Sequence, residues 1–131
     1  VFDSLPPCWA IAVPSMLKAL VYKESGRATM EKMLMDLPIE EFADYRRCAA
    51  KYGLAESVNR LHFRDIGITI METAIENLGS VAEDLLIPYF NHFTKEGKTP
   101  ADMVLERFGH AGSVESWLEE EMKISFSQGD Q

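Results

Sequence analysis

The sequence predicts an all-α fold, a compact orthogonal or irregular bundle of six to seven helices. Three observations lead there. Apolar residues recur at helical spacing along most of the chain. The breaks between these stretches carry glycine, proline and capping residues. No segment alternates apolar and polar residues long enough for a strand to be the better reading. With 131 residues, 47% hydrophobic and 26% charged, the chain suffices for one domain with its own core. No repeat or linker-like stretch divides it, so residues 1–124 are read as one helical domain and 125–131 as a polar tail that should fray.

The first helix is expected over roughly Cys8–Lys23, with Trp9, Val13, Leu17, Leu20 and Val21 on one face. Pro14 should bend it or delay its start, because the ring removes a donor and clashes with the preceding turn. Ser25-Gly26 is read as its stop, followed by a short methionine-rich helix from Thr29 to about Met35. Pro38, with Glu40 and Glu41 behind it, fits the first turn of a third helix reaching Lys51, with Ile39, Phe42, Ala43, Tyr45 and Ala49 or Ala50 turned inward. Tyr52-Gly53 closes it.

One long central helix is expected over about 54–78, on the stripe Leu54, Val58, Leu61, Ile66, Ile70, Ala74 and Leu78, widened by Ile68, Met71 and Ile75. The β-branched run Ile66–Ile70 competes as a short strand, but helical phase continues on both sides of it. Gly67 marks a place where a neighbour can come close. Gly79 suits a left-handed stop, and Ser80-Val-Ala-Glu83 reads as a capping box. The next helix carries Leu85, Leu86, Tyr89, Phe90 and Phe93 with a kink at Pro88, and Gly97 ends it. Thr99-Pro100-Ala-Asp102 is a strong helix start for a short segment, Met103–Phe108. Ser113 then caps a last helix with Val114, Trp117, Leu118, Met122 and Ile124 on one face and glutamates around the other.

Charge is unevenly placed. Residues 1–65 hold nine basic and nine acidic side chains, whereas 66–131 hold four basic and twelve acidic, so the net charge of −8 belongs to the second half. Such a chain is repelled by phosphate backbones and anionic lipid, which argues against nucleic acid and acidic membranes as partners. The apolar stretch Cys8–Tyr22 holds fifteen residues, is interrupted by Pro14 and Lys18, and falls short of the ~20 a spanning helix needs. No transmembrane segment is therefore expected, and membrane association would come only through other subunits. The chain begins at Val1 rather than methionine, as a processed or partial chain would, and no compartment is assigned. Cys8 and Cys48 are too far from each other and from histidines to suggest a metal framework; two buried thiols or one disulfide remain open.

No phosphate-binding loop, nucleophile elbow or calcium loop is present, and no cofactor or metal is expected. His62 with Asp65, and His92 with Glu96, are spaced to meet on a helix and are the candidates for general-base work should the chain be an enzyme. The stretch containing Tyr52-Gly53, His62-Phe63, Ile66-Gly67 and Leu78-Gly79 resembles the last helices of the globin and phycobiliprotein superfamily. Ala49 stands where that pattern has the proximal histidine, so the resemblance implies an all-helical pocket without a haem ligand.

These features together point to a non-catalytic helical accessory or structural subunit, or an adaptor, working through protein–protein contacts in a larger assembly. Trp9 and the methionines Met30, Met33 and Met35 are its candidate apolar contacts, since thioethers repack easily against varied partners. Glu115, Glu119, Glu120 and Glu121 are its candidate contacts to a basic surface. The alternative is a helical pocket for an apolar ligand or pigment, lined by Phe63, Tyr89, Phe90 and Phe93 with the methionines; the second alternative is a small enzyme using His92 or His62.

Overall fold

A single extended residue, Lys23 (φ −97, ψ 136), separates the first two helices of the computed structural model, which describes residues 9–58 and 61–129, without the side chains of Glu121 and 124–129. Helix α1 spans Ala12–Tyr22 and α2 spans Glu24–Met35. Pro14 delays the start rather than bending the helix, since it falls in the first turn of α1, where no intrahelical donor is needed. Ser25-Gly26 does not stop the helix as expected. The chain turns at Lys23, and Gly26 lies buried in the first turn of α2. A Cβ on Gly26 would stand 2.6 Å from the Leu20 carbonyl oxygen and 2.7 Å from that of Ala19. The missing side chain therefore lets α2 start against the end of α1.

Helix α4, Phe63–Leu78, locks this pair. Asn77 donates from Nδ2 to the Ala19 carbonyl at 3.1 Å, and Ser25 donates from Oγ to Asn77 Oδ1 at 2.6 Å. One amide side chain thus touches both helices where they join. Around it the core is built from Ala12, Ala19 and Leu20 of α1, Met71 and Ala74 of α4, and Ala82, Leu86 and Phe90 beyond. Half of this cluster is alanine, which allows short interhelical distances, while Leu86 contributes roughly 1.5–3 kcal/mol by full burial. The expected stripe on α4 holds: Ile66, Ile68, Ile70, Met71, Ala74, Ile75 and Leu78 are all at least half-buried.

The all-α fold class stands, with one small exception and one shorter helix. The central helix begins at Phe63, not near 54. Gly53 (φ 59) ends helix α3, Phe42–Tyr52, and a hairpin follows in which β1, Ser57–Val58, pairs antiparallel with β2, Leu61–His62. The hairpin half-buries Val58 and Leu61, which face each other, and exposes Ser57 and His62. It satisfies the same apolar residues that read as helical phase, and Ile66–Ile70, the competing strand, is helical. Helix α3 follows a turn of 3-10 helix, Ile39–Glu41, and buries much less than expected: Tyr45 is buried, while Ile39 is 79% exposed and Phe42, Ala43, Ala49 and Ala50 are also exposed.

Gly79 (φ 59) ends α4 as expected, but Ser80 does not cap the next helix; Gly79–Val81 forms a 3-10 turn leading into α5, Ala82–Leu85. The chain breaks at Leu86 before α6, Ile87–Tyr89, where Pro88 has no N–H to continue the ladder, and then widens into a π turn over Phe90–Thr94. Arg64 at the start of α4 donates to the Lys95 carbonyl and lies over the Gly97 turn, tying this segment back. The Thr99/Asp102 capping box forms and opens α7, Pro100–His110, longer than expected at both ends. Ser113 caps α8, Val114–Gly129, by accepting from the Ser116 N–H at 3.2 Å. Helical backbone continues across 125–129, where a frayed tail was expected. Cys8 lies outside the described residues, so its pairing with the half-buried Cys48 does too.

The Gly26 contact predicts opposite outcomes for two glycine substitutions. Gly26→Ala should cost about 3 kcal/mol, because only backbone atoms could make room. Gly109→Ala, inside α7 with nothing within 4 Å of the added Cβ, should stabilise by about 1 kcal/mol. Urea unfolding of the two variants beside the unaltered chain measures both.

Candidate functional site

One apolar feature facing solvent lies where α2, α3 and α4 fail to close on one another. Pro38 forces the chain out of helix after Asp36, and the 3-10 turn that follows swings α3 away from α2. This leaves an open groove of about 620 Å³. Met30, Met33 and Leu34 of α2 form one wall, Leu37, Pro38 and Tyr45 the other, and Leu61, Ile66 and Ile70 the floor. Two carboxylates border it, Asp36 and Glu41, and no described residue lining it is basic. Tyr45 donates from its hydroxyl to Glu41 Oε2, one turn back, which holds the carboxylate beside the groove. The volume lies in the range of sites that take a ligand or a few anchoring side chains.

A second groove of about 630 Å³ runs along the other side of α2, between α1 and α2. Leu17, Leu20 and Val21 face Met30, Leu34 and Met35 across it. Met30 and Leu34 line both grooves, so the apolar surface continues around α2. Met35 is 79% exposed and Leu34 51%.

Of the residues that the sequence marked for partner contact, the three methionines come together here. Trp9 does not join them. Its indole stacks on His92 at 5.6 Å and meets Phe93 edge-on at 5.2 Å and Tyr89 at 6.0 Å, which ties the start of the described chain to the π turn. Glu115, Glu119 and Glu120 are exposed on α8, away from the methionines in sequence, and the side chain of Glu121 lies outside the described residues. The pocket residues of the other reading separate: Phe90 and Phe93 are buried, Tyr89 is half-buried against Trp9, and Phe63 borders a polar cleft with His62, Asp65 and Glu96. His92 borders another polar cleft with Glu96, Lys98, Glu106 and Arg107, in which Lys98 pairs with Glu106 at 3.1 Å.

Asp36 and Glu41 were missed as site residues because charge balance taken over the whole first half hides them. Read over 30–45 alone, five acidic side chains stand against Lys32, a local signal that the sequence did contain. Among the described residues, no group of three or more His, Cys, Asp or Glu could hold a metal ion, and no helix is long and apolar enough to cross a membrane.

Compared with known protein families, with curated proteins and with solved structures, the chain matches none. The resemblance to the globin and phycobiliprotein superfamily has no counterpart in those comparisons, and function has to be argued from the surface just described.

Burial raises the Tyr89 phenol above its ordinary pKa. The unfolded chain then loses this proton first as pH climbs, so the folded state loses stability through the ordinary phenol range and above. Tyr89→Phe should remove one late step from the ultraviolet phenolate titration of the four tyrosines and flatten the alkaline fall in stability.

Proposed function

We propose that this chain is a non-catalytic helical accessory or structural module that works by holding other proteins in a larger assembly. The observation that carries the reading is an imbalance of apolar surface. Among the described residues, fifteen large apolar side chains are exposed and seven are buried. Isolated exposed leucines are ordinary; a continuous band is not. Leu17, Val21, Leu34 and Met35 form such a band along the groove between α1 and α2, and Leu105, Phe108, Val114, Leu118 and Met122 leave further apolar surface on α7 and α8. Covering the band against a partner would add the burial that the small alanine-rich core does not provide. The exposed glutamates Glu115, Glu119 and Glu120, with Glu121 beside them in sequence, would meet basic residues of a partner beside the apolar surface of α8.

An apolar ligand held by Phe63, Tyr89, Phe90 and Phe93 has less support, since Phe90 and Phe93 pack into the interior while Phe63 borders a polar cleft. An enzyme based on His62 or His92 has less still. His92 is stacked on Trp9, and the two histidines border different clefts.

The isolated chain should bind the dye ANS and associate with itself as concentration rises. Val21→Glu with Leu34→Glu should lower both while changing stability by no more than about 0.5 kcal/mol for each exposed site. Light scattering after size exclusion, ANS fluorescence and circular dichroism read the three quantities. A monomer that binds no dye would sink the reading.

A further inference from the structure

We infer that Met35 is a modification site: hydrogen peroxide converts its thioether to a sulfoxide, which makes the groove between α1 and α2 polar at one edge and weakens whatever contact that groove makes. The inference rests on the docking reading above and names a chemistry that regulates it. The step needs no cofactor. A sulfur lone pair attacks one peroxide oxygen, the O–O bond breaks, and the departing hydroxide takes the proton left on the transferred oxygen. One sulfoxide and one water result, with sulfur oxidised and peroxide reduced by two electrons.

Exposure selects the residue. Of the seven methionines, Met35 is 79% exposed and Met122 60%, four are half-buried, and Met71 is 4% exposed within the core. Peroxide in solution meets them in that order. Position then decides what oxidation does. Met35 ends α2 and lines the groove with the exposed Leu17, Val21 and Leu34, so an added oxygen there disturbs no packing that the helix needs. It does change what closes over the groove, because a sulfoxide is a polar acceptor that an apolar contact would have to strip of water. The same oxygen on Met71 would enter the core beside Ala74 and Leu20 and oppose folding itself. Oxidation at the most exposed methionine thus alters the surface, and oxidation at the least exposed one breaks the fold.

The test treats the full chain with dilute hydrogen peroxide and samples it over time. Peptide mass spectrometry with fragmentation locates each sulfoxide, while ANS fluorescence, light scattering and circular dichroism follow surface, association and helix content. The Met35 sulfoxide should form first and about tenfold faster than that of Met71. When it is the main product, dye binding and self-association should fall about twofold with helix content unchanged, and methionine sulfoxide reductase should restore both. Met35→Leu, apolar and without sulfur, should keep both through the same treatment, whereas Met122→Leu should lose them as the unaltered chain does. Another methionine oxidised ahead of Met35, or a treated Met35→Leu chain that loses dye binding like the unaltered one, would overturn the inference. If Met35 is oxidised first while dye binding and association stay as they were, the inference falls and the docking reading stands. If the chain binds no dye and remains a monomer before peroxide is added, both fall.

Discussion

The contact between Gly26 and the backbone at the end of α1 determines how the other helices can be arranged. A one-residue joint at Lys23 would by itself leave the angle between α1 and α2 open. Backbone contact at Gly26 fixes how near they come, and the Asn77 amide, bonded to the Ala19 carbonyl and to Ser25, fixes how α4 meets both. Once α4 is placed, Ala74 and Met71 lie against Ala19 and Leu20, and the chain leaving α4 at Gly79 must return over the same core through Ala82, Leu86 and Phe90. The four alanines of the core, Ala12, Ala19, Ala74 and Ala82, fit this arrangement, since larger side chains at those positions would push apart helices that Gly26 holds close.

That economy has a cost on the outside. A core half made of alanines has little room for long side chains, and leucines, methionines and aromatics such as Leu34, Met35, Phe42, Leu105, Phe108 and Leu118 remain partly in water. The groove and the band are two results of one cause: α1, α2 and α4 pack tightly where they cross, and α3 is carried off by Pro38 before it can cover α2. The docking reading depends on this division between a closed junction and an open flank.

Much of the fold was legible because its signals are local. Gly79 at positive φ, the Thr99/Asp102 capping box, the Ser113 cap and the stripe on α4 each depend on residues within a turn or two of one another. What was not legible depends on distant partners. Gly26 reads as a stop until the carbonyls of α1 are seen against it, and Val58 with Leu61 fits a hairpin as well as a helix. The inward face assigned to α3 was helical in period, but periodicity does not say whether another helix is there to cover it. The site was legible in part for the same reason. Met30 and Met33 stood out by type, whereas the acidic excess around Asp36 and Glu41 is visible only over a short window, and the bend at Pro38 brings both beside the methionines. Trp9, conspicuous in sequence, is taken up by the aromatic cluster at the π turn.

The Asn77 bonds also bear on the order in which the chain can assemble. They close loops of 52 residues to Ser25 and 58 to Ala19, whereas the α1–α2 junction is made by residues six or seven apart. Loop-closure entropy favours the short contact first. During synthesis, α1 and α2 emerge long before the amide that sets their angle, and in that interval the future floor of the groove, Ile66 and Ile70, does not yet exist. The groove is thus finished by the same late event that completes the fold, so a chain interrupted before α4 would carry the methionines but not the floor that makes a groove of them.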